Sequence, residues 1–181
     1  MPEHATALSA WESFYVIVGS SGGALIGLQF VVITLLESRR SMADSESVGA
    51  FGTPTVVHFA GALIVSALMS APWPSLFPPS IALTICGLGG MVYCGIVVRR
   101  AHRQTTYEPV FEDWLWYSIL PCAAYGALAM SVVFVGRYTG TELFVVGGAA
   151  LSLLVIGIHN AWDSITHIVV STPRSEDTGR H

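Results

Sequence analysis

Apolar positions in this chain come in long runs, not in the narrow stripes of a surface helix. Phe14 to Leu36 holds 23 residues without a charge. As a helix it reaches about 34 Å, enough to cross a hydrocarbon layer of about 30 Å. Thr55 to Ala71, Ile81 to Val98, Trp114 to Gly136 and Leu143 to Trp162 are four further runs of the same kind. A helix apolar on all sides is either buried or faces lipid. The pattern predicts membrane spans over residues 12–37, 55–72, 80–98, 114–136 and 142–162. The last should continue as helix to about residue 170, followed by a disordered tail over 172–181.

Prolines punctuate these runs. The second is closed by "APWPSLFPPS", whose four prolines forbid a continuing helix. Thr53 followed by Pro54 reads as an N-cap and a first helical position. Pro121 falls inside the fourth run and should kink it or free the carbonyl of Tyr117.

Composition turns these runs into a statement about solvent. Charged residues make up 11% of the chain and hydrophobic residues 52%, with a mean hydropathy of +0.62. Soluble domains carry about 25% charged residues. Such a chain lacks the polar surface to cover itself in water, so a multi-pass membrane location is expected, the plasma or inner membrane in a bacterium. The net charge is −4 and lysine is absent, which argues against a nucleic-acid partner. "MPEHATALSAWE" has no Lys or Arg and two glutamates, so it does not read as a cleaved signal peptide.

The arginines set an orientation. With the N-terminus outside, Arg39, Arg40, Arg99, Arg100, Arg103, Arg174 and Arg180 all fall inside, and only Arg137 falls outside. That asymmetry is a positive-inside signal. The expected fold is an all-α integral membrane protein: a five-helix transmembrane bundle, N-out and C-in, with tight small-residue packing.

Small residues are where helices can meet in lipid, because tails as apolar as leucine give no hydrophobic drive between helices. In "GSSGGALIG", Gly19, Gly23 and Gly27 line one side of the first span. They serve either packing within the chain or a subunit contact, and a homo-oligomer is expected. Cys86, Cys94 and Cys122 lie within spans without a CxxC partner, and read as small packing residues.

Polar side chains inside a membrane carry more information, because each is costly there. In "GIHNAWDSITHIVV", His159, Asp163 and His167 are four apart and share a helix face, with Asn160 and Ser152 near it. Counting from the span ends puts Gln29 near the level of Asp163, and His58 near that of His167. Three accounts fit this convergence. The helix can project into the cytosol with a solvated face. The residues Gln29, His58, His159, Asn160, Asp163 and His167 can line a wet inner vestibule, where histidine relays protons or senses pH. Or His159, Asp163 and His167 can hold a metal, with His58 adding a ligand.

The loop "RRAHRQTTYEPVFEDWLWYSILP" places arginines after the third span and Glu108, Glu112 and Asp113 before the fourth, where helix dipoles favour them. Trp114, Trp116 and Tyr117 then mark an interface. No HExxH, P-loop or GxGxxG motif is present, and Ser20 and Ser21 lie in a run without histidine or carboxylate. No enzymatic activity and no cofactor are expected. The expected function is a homo-oligomeric pore or pathway for protons or small cations. The alternatives are a non-transporting accessory or scaffold subunit and, third, a membrane metal-binding protein.

Overall fold

The computed structural model describes residues 2–39, 45–101, 111–134 and 140–171, with side chains over 8–35, 54–100, 111–112, 114–134 and 140–166. The expected tail over 172–181 lies outside the described residues, as do Arg40, Arg103, Arg137, Arg174 and Arg180. Among the described residues all regular structure is helical. The elements are α1 (Pro2–Arg39), α2 (Ser45–Ser70), α3 (Phe77–Ala101), α4 (Phe111–Trp114), a π-helical turn (Leu115–Ile119), α5 (Leu120–Ala129), α6 (Ser131–Phe134) and α7 (Thr141–Ser171).

Three helices are long and apolar enough to cross a membrane: Leu8–Leu35, Phe77–Arg100 and Thr141–Thr166. Pro54–Ser70 and Leu115–Ala129 are apolar but shorter. α7 sits at the centre, against α2, α5 and α1, while α1 packs mainly on α2, and α3 on α5. Burial agrees with that arrangement: 56% of the most apolar stretch of α7 is enclosed, against 22% for α1 and for α3. The outward faces of α1 and α3 are therefore broad and apolar, with Val16, Ile17, Leu28 and Phe30 on one and Ile85, Leu88, Val92 and Ile96 on the other.

Two boundaries differ from the sequence expectation. α2 does not start at Thr53; it runs from Ser45 through Pro54. Proline removes its own N–H but has a helical φ, so it ends a helix only where the flanking turns fail to hold. The fourth segment is not one helix over 114–136. A π-helical turn precedes Pro121, with the Leu120 N–H donating to the Leu115 carbonyl. Met130 then ends α5, its N–H donating to the Gly126 carbonyl at 3.2 Å. The amide of Val132 just beyond this break donates to Thr84 Oγ1 of α3 at 3.2 Å. A neighbouring hydroxyl thus satisfies a backbone group that the helix no longer can.

The proline link behaves as its composition predicts. α2 stops at Ser70 and α3 starts at Phe77, with Pro78 and Pro79 in its first turn. Trp73 Nε1 donates to the Leu68 carbonyl at 2.6 Å, capping the end of α2. Glycine then governs how closely the helices approach. A methyl placed on Gly19 would lie 2.9 Å from Ser66 Cβ, and one on Gly22 would lie 3.0 Å from the Phe59 carbonyl oxygen. At Gly23 the nearest atom is Leu63 Cδ1 at 3.9 Å, and at Gly27 nothing lies within 4 Å. The α1–α2 contact therefore uses Gly19 and Gly22, and the series Gly19, Gly23, Gly27 turns progressively off it. The tightest approach is between α3 and α5. There a methyl on Gly87 would lie 2.3 Å from the Ala129 nitrogen, and one on Gly90 2.1 Å from the Tyr125 ring.

Candidate functional site: a polar layer at one end of the bundle

Close contacts fix the relative register of the helices. Gly61 faces Leu153, and Gly157 faces the Phe59 ring, so α2 and α7 run antiparallel. Continuing that register puts Asn160 level with Thr55 and Val56. On the other side, Gly19 faces Ser66 and Gly22 faces Phe59 and Leu63, which puts Gln29 at that same level of α2. Gly87 against Ala129 and Gly90 against Tyr125 place Arg99 and Arg100 level with the π-helical turn. Gln29, His58, Asn160, Asp163 and the turn thus occupy one end of the bundle. The proline link, Trp11 and the start of α7 occupy the other.

Within the polar layer the sequence-predicted residues separate into two groups. Gln29, His58 and Asn160 are buried, as is Thr55. His58 Nδ1 is hydrogen-bonded to the Tyr125 hydroxyl at 3.2 Å, and Tyr125 also approaches the Val57 carbonyl at 3.5 Å. Asn160 is 0% exposed, and among the described residues neither its Oδ1 nor its Nδ2 has a hydrogen-bond partner. A buried amide in that state carries a desolvation penalty of about 1–3 kcal/mol, which makes it a conspicuous feature of the core.

The second group lies along the α7 face that meets the π-helical turn. Trp116 stacks on His159 with centroids 3.8 Å apart and planes inclined by 5°. Tyr117 donates its hydroxyl to Asp163 Oδ2 at 2.9 Å. His159 Nδ1 is buried without a partner among the described residues, while Asp163 is exposed. His167 falls on the helical backbone of α7, but its side chain lies outside the described residues. The chosen residues therefore divide between an enclosed layer and a helix surface.

The π-helical turn explains how two aromatic side chains reach α7 together. An extra residue in one turn widens it and rotates the helix beyond it, and such turns are frequent at functional positions. Pro121 supplies the cause, since it withholds the N–H that the Tyr117 carbonyl would accept in an α-helix. Tyr125 was not anticipated as the partner of His58. No spacing in the sequence pairs the two, because the contact depends on α2 and α5 being neighbours.

Among the described residues no group of three His, Cys, Asp or Glu side chains is arranged to hold a metal ion. His159 and Asp163 are engaged by Trp116 and Tyr117, and the third candidate, His167, is not among the described side chains. Residues 19–23 also fit the spacing Gly-x-Ser-x-Gly, which in hydrolases requires a sharp strand-to-helix turn. Here Ser21 lies in the middle of α1, where that geometry does not exist. The chain matches no protein-family model, no curated protein and no solved structure.

Proposed function

We propose that this chain is a five-span membrane protein, N-out and C-in, that works as a homo-oligomer and passes protons through the polar layer at its inner end. The observation that carries the proposal is the placement of His58 with Tyr125, of Asn160 (unpartnered among the described residues), and of His159 with Asp163, on α2, α5 and α7 at one level. The arginine-flanked loops support calling that level the inner one. Enclosure favours a proton over a hydrated cation. An ion with its water needs a bore, whereas a proton needs only groups that can exchange it, such as an imidazole. No enzymatic step is part of the proposal.

The purified protein in liposomes, under an imposed pH gradient and with a trapped pH indicator, is expected to dissipate the gradient. His58→Ala combined with His159→Ala should reduce that rate at least tenfold. A wild-type rate equal to that of empty liposomes would overturn transport and leave the accessory or scaffold role. The apolar faces of α1 and α3 favour that second reading, because Gly27, Gly89 and Gly95 are open to a further helix.

Orientation has its own test. In a variant lacking native cysteines, a cysteine at Thr139 should react with an impermeant maleimide in intact cells. One at Ser45 should react only once the inner face is opened. The reverse pattern would place the polar layer outside.

A further inference from the structure

Two cysteines sit beside the tightest helix approach in the bundle, Cys94 on α3 and Cys122 on α5. Both are free thiols; Cys94 is buried and Cys122 is partly exposed. The glycine contacts fix how the two are placed. Gly87 meets Ala129 and Gly90 meets Tyr125, so α3 and α5 run antiparallel. Gly87, Gly90 and Cys94 follow at intervals of three and four residues and share one face of α3. Ala129, Tyr125 and Cys122 follow at four and three and share the facing side of α5. The next pair in that series is Cys94 against Cys122, and a side-chain hydrogen bond joins them.

Distance decides what such a pair can do. A disulfide requires Cα atoms about 4.4–6.8 Å apart, with the Cβ atoms turned toward each other. Two helices come that close only where nothing bulky stands between their backbones. Here glycine clears the way: a methyl on Gly87 would lie 2.6 Å from the Tyr125 carbonyl oxygen and 2.8 Å from Ala129 Cα. Backbone thus lies against backbone two turns from Cys94, on the face that carries it. The surroundings separate the two sulfurs in role. Cys94 belongs to the buried core, whereas Cys122 packs against that core from its edge.

We propose that Cys94 and Cys122 form a dithiol–disulfide site that ties α3 to α5 when oxidised, with a small apolar disulfide as the oxidant. Cys122 is the point of entry, because access selects which thiol reacts first. Its thiol gives up a proton and attacks one sulfur of the oxidant, forming a mixed disulfide and releasing one thiol. Cys94 then gives up its proton and attacks the Cys122 sulfur, expelling the second half of the oxidant as a thiol. One S–S bond forms between the helices and one breaks in the oxidant, which takes two electrons and two protons. The site stands whether or not the bundle passes protons.

The test uses the full chain in lipid with Cys86→Ala, so that only the pair remains, and dithiodipyridine as the oxidant. Two thiopyridones per chain should be released, and the protein should lose two hydrogens in mass and keep no pyridyl group. After trypsin cleavage at Arg100 or Arg103, between the two cysteines, the α3 and α5 fragments should separate only on reduction. With Cys94→Ser added, Cys122 should retain its pyridyl group and only one thiopyridone should appear. With Cys122→Ser added instead, Cys94 should react at least tenfold more slowly than Cys122 does. Pyridyl groups stable on both cysteines of the parent protein would overturn the site. So would the absence of any reaction, cross-linked dimers, or fragments that separate without reductant. The parent protein decides the matter by itself if either serine variant fails to fold.

Discussion

Gly87→Ala is expected to lower the stability of the bundle more than any other single methyl addition. The added carbon would lie 2.3 Å from the Ala129 nitrogen, 2.6 Å from the Tyr125 carbonyl oxygen and 2.8 Å from Ala129 Cα. All three are backbone atoms, so no rotamer change can relieve the overlap, and α3 and α5 must separate. Overpacking of this kind costs about 1–3 kcal/mol. Gly89→Ala is the control, because nothing lies within 4 Å of its added methyl. There the better helix propensity of alanine should stabilise by up to about 1 kcal/mol. Thermal unfolding in detergent would show the two variants moving in opposite directions. Equal midpoints would mean that α3 and α5 do not meet as closely as described.

Asn160→Leu is expected to make the protein more stable and less active. Among the described residues the buried amide has no partner for either polar atom, so an apolar side chain of similar size removes a penalty of about 1–3 kcal/mol. A residue retained at such a cost points to use, and the proton rate in liposomes should fall in the same variant. Asn160→Asp should destabilise, since it brings a charge into that enclosed position. If Asn160→Leu unfolds at a lower temperature than wild type, the amide is held by interactions that outweigh its desolvation. Its place in a proton route would then lose its main support.

Much of the helical architecture could be read from the chain because it depends on one-dimensional quantities. Uncharged length marks the helices around Phe14–Leu36, Ile81–Val98 and Leu143–Trp162. Clustered prolines mark the break between Ser70 and Phe77. What could not be read depends on which helix lies beside which. Pro54 and Pro121 are the same residue type in similar apolar settings, yet one is absorbed in a helix and the other comes just after a π-helical turn. The break at Met130 is stabilised by Thr84, a residue 46 positions earlier than the break. In the candidate site, the spacing of His159 and Asp163 correctly suggests a shared face. It is silent on Trp116 and Tyr117, which occupy that face from another segment. Glu142 opens α7, and only the arrangement of Met69, Pro79, Ser80 and Leu83 beside it reveals its burial.

The hydroxyl of Thr84 that receives the Val132 amide has a bearing on how the chain enters a bilayer. Leu115–Ala129 is short, carries a widened turn and ends in a break. Released alone into hydrocarbon it would present peptide groups that lipid cannot solvate, at several kcal/mol for each unsatisfied group. α3 is long and apolar enough to enter by itself, and it precedes that segment in the chain. Biogenesis should therefore install α3 first and hold it at the insertion site until its hairpin partner arrives. A ribosome stalled before residue 132 should yield an α4–α5 segment still accessible to protease, and one stalled well after it a protected pair.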